Sequence, residues 1–371
     1  MKKIAIITLN GYYNYGNRLQ NYALQEILKS LNCYVETIRI ENKKINENIF
    51  NKLKNKSIKQ IINMFYIKLI ISIYKKTIDN RTIIFKNFTK NYINETNFTI
   101  SDDNIPINLS DKYDYFITGS DQVWNYDYIN GSSIYFLIFA EKHKRIAYAP
   151  SFGVSEIKSD YKDKYKTWIS EMYRLSVRED EGARIIKELT GIDTPVLLDP
   201  TMLISREKWI SISQKAKNKP KGKYLLTYFL GGINLYYKNQ IKKFAKRNNL
   251  KILNLGNIKE KETYETGPSE FIDYIKDCSI MFTDSFHGTV FSILFEKPFV
   301  VFNRLGELSM YSRINTLLNK FNLNSRRIEN ISLYNNNIFY INYSYVYQIL
   351  EYEREKALNY LKNALNIEDD K

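Results

Sequence analysis

Histidine and cysteine are nearly missing from this chain, with two of each. Cys33 and Cys278 stand far apart within apolar segments, which excludes a disulfide framework, and adding His143 and His287 still yields no spacing suited to a zinc site. Long apolar runs are missing too. The nearest, Met64 to Tyr74, is interrupted by Lys68 and falls short of the roughly 18 residues that a spanning helix needs. The opening MKKIAIITLNGYY has a charged start, but its apolar run is too short for a secretory leader and no small-residue cleavage site follows. These absences predict a protein made and kept in the cytoplasm. Acidic residues are in deficit: 55 Lys and Arg against 40 Asp and Glu leave a net charge of +15. Part of that excess belongs to a general abundance of Lys, Asn, Ile and Tyr, as an AT-rich coding sequence produces. A basic surface steers anionic partners such as phosphorylated metabolites, nucleic acid or acidic lipid headgroups, and charge alone does not choose among them.

What is present is a repeated α/β grammar. An apolar fraction of 44% fills real cores, and the length suits two domains at roughly 100–200 residues each. Lys2 to Leu9 reads as a buried strand, and Arg18 to Leu31 as a helix with Leu19, Tyr22, Ala23, Ile27 and Leu31 on its apolar face. The loop between them holds only Gly11 and Gly16, so the GxGxxG dinucleotide fingerprint is absent, although a helix N-terminus there favours anions. Tyr34–Ile40, Tyr113–Thr118, Ile146–Ala149, Leu175–Val177 and Val196–Leu198 read as further strands. The last four end in small or polar tips: Gly119-Ser120-Asp121, Pro150-Ser151, Arg178-Glu179-Asp180 and Asp199-Pro200-Thr201. Apolar strand followed by polar tip is the pattern of a parallel sheet, whose ligands gather beyond the carboxyl ends of its strands. Arg178 and Asp199 are candidates for one cleft, or else for local roles as an ion-pair partner and a turn cap.

These strands assign residues 1–204 to a first domain. An insertion at about 43–90 interrupts it, where Lys52, Lys54, Lys56 and Lys59 interleave with Ile58, Ile61, Ile62 and Phe65, then Leu69, Ile70, Ile73 and Tyr74. Basic amphipathic helices are expected there, either packed on the domain with a solvated basic face or docking on anionic membrane. A lysine-rich linker at 205–223, anchored by Trp209, leads to a second α/β domain at 224–330. A tail at 331–371 follows and ends in a helix, Tyr345 to Leu365.

The second domain carries the leading functional candidate. Between strands Ile280–Phe282 and Phe299–Phe302 lies a turn with Asp284, Ser285, His287 and Gly288, then a short helix, Thr289 to Glu296, stopped by Lys297-Pro298. One of only two histidines at a strand tip suits general acid–base work, a structural turn histidine being the plainer alternative. Beyond it, Arg304, Arg313, Arg326 and Arg327 supply donors suited to phosphate or carboxylate.

The segments NYGNRLQNYAL, GSDQVWN, PSFG, SVRED, LLDPTML, GPSEFI and TDSFHGTVFSILFEKPFV, in this order and followed by an arginine-bearing tail, resemble the polysaccharide pyruvyl transferase family across roughly residues 3–327. The resemblance implies a GT-B-like fold, two Rossmann-like domains facing a cleft, here with a C-terminal helix. It implies transfer of the enolpyruvyl group of phosphoenolpyruvate to hydroxyls of a polysaccharide or lipid-linked glycan precursor, forming a pyruvate ketal and releasing phosphate. His287 matches the family's general acid or base, and Arg178 the arginine taken to hold phosphoenolpyruvate. Asn14, Gly16, Asn17, Ser120, Asp121, Ser285, Gly288, Thr289, Arg304 and Arg313 are the expected substrate-binding residues. No cofactor, metal or nucleic-acid partner is expected, and membrane contact only at the periphery of an anionic inner face. One departure stands out: some relatives carry Arg-Leu-His-Gly where this chain has Ser285-Phe286-His287-Gly288, so Arg313 or Arg304 is the expected replacement. Two other readings stay open, a GT-B-like transferase using a nucleotide sugar or another anionic donor, and a non-enzymatic protein that binds anions or nucleic acid.

Overall fold

The computed structural model describes residues 1–41, 65, 68–305 and 311–368. Ile4 to Ile7 are wholly buried, as befits a strand covered on both faces, and form most of β1 (Lys2–Ile7). The first unit continues with α1 (Tyr15–Ser30), β2 (Cys33–Ile40), α2 (Lys75–Tyr92), β3 (Glu95–Ile100), β4 (Tyr115–Thr118), β5 (Arg145–Ala147), α3 (Ser159–Ser170) and α4 (Asp180–Thr190). Its five strands are parallel in the order β3-β2-β1-β4-β5. Helix α5 (Arg206–Ile212) leads to the second unit: β6 (Tyr224–Tyr228), α6 (Leu235–Arg247), β7 (Lys251–Leu255), α7 (Pro268–Asp277), β8 (Ile280–Thr283), α8 (Phe286–Leu294), β9 (Phe299–Val301) and α9 (Ser312–Lys320). These four strands are also parallel, in the order β7-β6-β8-β9.

Each order reverses direction once, between β1 and β4 in one sheet and between β6 and β8 in the other. At such a reversal the flanking connections leave on opposite faces and open a crevice beyond the strand ends. The loops after β1, β4, β6 and β8 all contribute to one cleft, so the two crevices face each other.

Away from that cleft the units share a core. Ile4, Tyr15 and Tyr22 of the first belong to one apolar cluster with Tyr224, Phe271 and Phe291 of the second. Tyr15 stacks on Phe271 with ring centroids 4.3 Å apart. Trp209 lies between Tyr22 at 5.5 Å and Phe291 at 5.0 Å and donates its indole N–H to Thr201 O at 3.0 Å. The final helix, α10 (Tyr343–Ala364), returns to the first unit: Arg354 donates to Met202 O and Ile204 O, and Tyr360 to Ala147 O.

Several expectations need correction. β3 has the polar sequence ETNFTI; it pairs on one side only, as an edge strand with mixed burial, which is why no apolar run betrays it. The segments read as strands at Leu175–Val177 and Val196–Leu198 form no regular strand: the first meets β5 through the bridge from Ile146 to neighbouring Arg174 and the Ser176 N–H on Ala147 O, and the two meet at the Val177–Val196 bridge. The stretch read as a linker opens as α5, because Ser205 caps the N–H of Lys208 and Trp209 is buried. Within the basic insertion, Lys52, Lys54, Lys56, Lys59, Ile58, Ile61 and Ile62 lie outside the described residues. Its later part is α2, which buries Thr77, Arg81, Phe85, Phe88 and Thr89. No described helix is long and apolar enough to cross a membrane.

Because they share a core, the two units are expected to unfold together. Trp209→Ala is expected to cost about 3–5 kcal/mol and to lower the urea midpoint of one transition. Two resolved transitions in the unaltered protein, followed by circular dichroism, would contradict the shared core.

Candidate active site

The β8 strand is fully buried, and its tip is built to hold a tight entry into α8. Thr283 donates its hydroxyl to Tyr228 O (2.6 Å) and accepts from the N–H of Ser285 (3.0 Å), tying the turn to β6. Ser285 caps α8 by accepting from the N–H of Gly288. A side chain at Gly288 would meet Thr283 Oγ1 at 2.7 Å, so glycine is what lets the first helical turn lie this close to β8. Asp284 reaches the other way: its carboxylate accepts from the N–H groups of Leu230 (2.7 Å) and Gly231 (2.8 Å), with Arg304 Nε 3.4 Å from Oδ2. The loop after β6 is thereby braced against the His287 turn.

This bracing delivers His287 to the seam between the units. The imidazole is buried, with Nε2 3.6 Å from Asp199 Oδ2. On its other side it presses on Gly16 in the first turn of α1, where any Cβ would overlap the ring at Nδ1. Asn14 caps that helix by accepting from the N–H of Gly16 at 2.8 Å.

Asp199 is the hub. One carboxylate oxygen accepts from the N–H (3.0 Å) and hydroxyl (2.6 Å) of Thr201; the other receives Arg178 at 2.6 Å and the Ser120 hydroxyl at 3.0 Å. Burial alone would raise this carboxyl, but the imidazole of His287, the guanidinium of Arg178 and the Thr201 hydroxyl outweigh it and hold Asp199 far below the ordinary carboxylate range. Arg178 makes a second pair with Asp121 at 3.4 Å and lies 4.5 Å over the ring of Phe286. Asp121 in turn accepts from Asn17 and from the N–H of Gln122. Glu179, also buried, accepts from the Ser151 hydroxyl and the N–H groups of Phe152 and Gly153, which pins the PSFG loop. Burial raises its carboxyl against the opposing pull of Arg178 and Arg313.

The cleft in front of this cluster has a volume of about 600 Å3. Of the expected substrate-binding and catalytic residues, Asn14, Asn17, Asp121, Ser285, His287, Arg304 and Arg313 line it. Gly16, Ser120, Gly288, Thr289 and Arg178 do not. Gly16 makes room for the imidazole, Ser120 faces Asp199, Gly288 serves the turn, and Thr289 returns its hydroxyl to Ser285 O. Arg178 is engaged behind the lining by two carboxylates, and among the described residues the arginines that line the cleft are Arg304 and Arg313. Burial, and then the charge of Arg178, pull Arg313 down to about 10. Sequence reasoning passed over Asn10, Tyr13 and Tyr128, which also line the cleft, and the bracing roles of Asp284 and Glu179, which depend on partners remote in the chain. For Asn10 and Tyr13 the local signal was their loop, NGYYNYGN, between the first strand and helix, and Tyr128 had none.

Two parallel α/β units thus meet at a buried His–Asp pair and open on a cleft that Arg304 and Arg313 line. The chain belongs to the polysaccharide pyruvyl transferase family, whose profile matches residues 14–305. No curated protein matches it. Among solved structures it is similar to S. aureus MnaA in co-structure with UDP, at 11% identity and a TM-score of 0.47, covering 100% of this chain and 99% of that one. It is also similar to the spinosyn rhamnosyltransferase SpnG (8%, 0.39, 99% and 100%) and to E. coli ADP-heptose lps heptosyltransferase II (11%, 0.34, 96% and 99%). Likenesses this distant carry no weight on chemistry.

Asp199→Asn leaves Arg178 buried beside a neutral amide, and an expected loss of about 3 kcal/mol follows at neutral pH. Because Asp199 titrates lower in the folded chain than in the unfolded one, its contribution is complete above about pH 4 and fades as pH falls further. Urea titrations of both proteins should show a constant gap from about pH 5 to 8 that narrows in acid. A gap that widens in acid contradicts the assignment.

Proposed function

We propose that this transferase moves the enolpyruvyl group of phosphoenolpyruvate to two hydroxyls of a glycan, free or lipid-linked, closing a pyruvate ketal and releasing phosphate. The observation that carries this reading is the placement of His287 against buried Asp199 at the floor of a cleft that Arg304 and Arg313 also line. His287 Nε2 lies 3.6 Å from Asp199 Oδ2, and the imidazole is part of the cleft lining, where it can exchange a proton with a ligand. Protonated His287 gives that proton to the methylene carbon, whose double-bond electrons take it up, while an acceptor oxygen bonds to the adjacent carbon. The carbon–oxygen bond to phosphate then breaks and the electron pair leaves with phosphate. A second acceptor hydroxyl closes the ketal. Of the two hydroxyl protons released, one restores His287 and the other goes to phosphate.

Arg304 and Arg313 fill the role that an arginine at the position of Ser285 plays in some relatives. Crowding among the cations of Arg313, Arg178 and Arg304 favours a bound anion, since negative charge relieves it. Arg178 acts through Asp199 rather than by touching the donor. Asn10, Tyr13, Asn14 and Tyr128 in the lining, amide and aromatic, suit the hydroxyls and ring faces of a sugar.

Phosphate release from phosphoenolpyruvate with a panel of glycan acceptors tests this. His287→Ala is expected to slow release by about 10²–10⁴-fold, and Gly16→Ala, which displaces the imidazole, to lower kcat as well. Arg313→Ala is expected chiefly to raise KM for phosphoenolpyruvate. Unchanged release by a folded His287→Ala variant overturns the catalytic role, and turnover of nucleotide sugars alone overturns the donor.

A further inference from the structure

Residues 68–73 are helical and run through Tyr74 into α2, with the Tyr74 N–H on Ile70 O at 2.9 Å and the Ile78 N–H on Tyr74 O at 3.0 Å. No residue from 68 to 76 is buried, and Leu69 and Ile73 are 57% and 62% exposed. At about 100° per residue, Leu69, Ile70, Ile73 and Tyr74 share one face and Lys68, Ser72 and Lys75 the opposite one, with Lys76 at one border and the half-exposed Ile71 beside Lys75. Up to Ile78 the surrounding sequence has a single sign of charge, and the next residue, Asp79, pairs with Lys75 at 2.6 Å. From 49 to 78 there are seven lysines and no aspartate or glutamate.

We propose that this segment docks the enzyme on the surface of an anionic lipid bilayer. An exposed apolar face bordered by Lys68, Lys75 and Lys76 matches the two properties of such a surface, an apolar boundary beneath negatively charged headgroups. Lysine stems lie along the apolar boundary while their ammonium groups reach the headgroups. Nucleic acid would use the lysines and leave Leu69 and Ile73 in water. The docking helix is not isolated from the cleft: in α2, Arg81 donates to Tyr13 O on the cleft wall and to Tyr15 OH at 2.9 Å. A docked α2 therefore carries the cleft with it, which suits an acceptor held in the same membrane. The docking itself does not rest on the ketal reaction.

Co-sedimentation of the full chain with phosphatidylcholine vesicles, with and without about 30% phosphatidylglycerol, tests this without donor or acceptor, so its failure leaves the proposed reaction standing. Binding to the anionic vesicles alone is expected, weakened at high salt. Lys68→Glu/Lys75→Glu/Lys76→Glu is expected to bind at least about a hundredfold more weakly, from roughly fivefold per lysine, and Leu69→Ser/Ile73→Ser at least about tenfold more weakly. Both variants change exposed positions and should keep the unaltered unfolding midpoint. Absence of binding to anionic vesicles, equal binding to neutral ones, or equal binding by both variants overturns the proposal.

Discussion

The carboxylate of Asp199 belongs to the first unit, His287 to the second, and Gly16 lies against the far side of the same imidazole. The ring is thus clasped between two elements of one unit while its own backbone is set by the β8–α8 turn of the other. Any change in how the units meet alters the distance between His287 and Asp199, so the shared core that includes Tyr15, Trp209, Phe271 and Phe291 has a chemical consequence as well as a stabilising one. A fully buried carboxylate is costly unless its lone pairs are satisfied, and here Thr201, Ser120 and Arg178 satisfy them. The same bonds fix the direction from which Asp199 meets the imidazole.

Charge is graded from this hub outward. Arg178 is matched by Asp199 and Asp121 and is spent inside the protein. Arg313 and Arg304 stand nearer the cleft, and burial next to Arg178 leaves Arg313 less comfortable as a cation than an ordinary arginine. On the proposed reading the inner pair is structural, and a ligand's negative charge would relieve Arg313. Asp284, though acidic and next to the site, spends its carboxylate on the Leu230 and Gly231 N–H groups, so it adds little repulsion toward an anion.

Much of this was legible in the chain. The buried strands of both sheets are apolar runs, and the TDSFHG turn announces a strand tip followed by a helix. The set of ordered segments pointed to the family that the profile match shows. What was not legible depends on partners far apart in sequence or on the direction of a side chain. β3 is a polar edge strand, recognisable only from its pairing with β2. Arg178 sits at the expected strand tip, yet its guanidinium points to two carboxylates instead of the cleft. Gly16 looks like a loop glycine for phosphate until His287 is seen packed upon it. Local pattern identifies where a functional turn stands, whereas packing decides which of its residues face a ligand.

The claim on which the account rests is that Asp199 serves the reaction through His287. A double-mutant cycle on phosphate release reads this directly, with His287→Ala, Asp199→Asn and the combined variant compared at one saturating donor concentration. The account predicts that the combined variant is no slower than His287→Ala alone, because a residue that acts only through the imidazole has nothing left to act on once it is gone. Losses that multiply in the combined variant would contradict it.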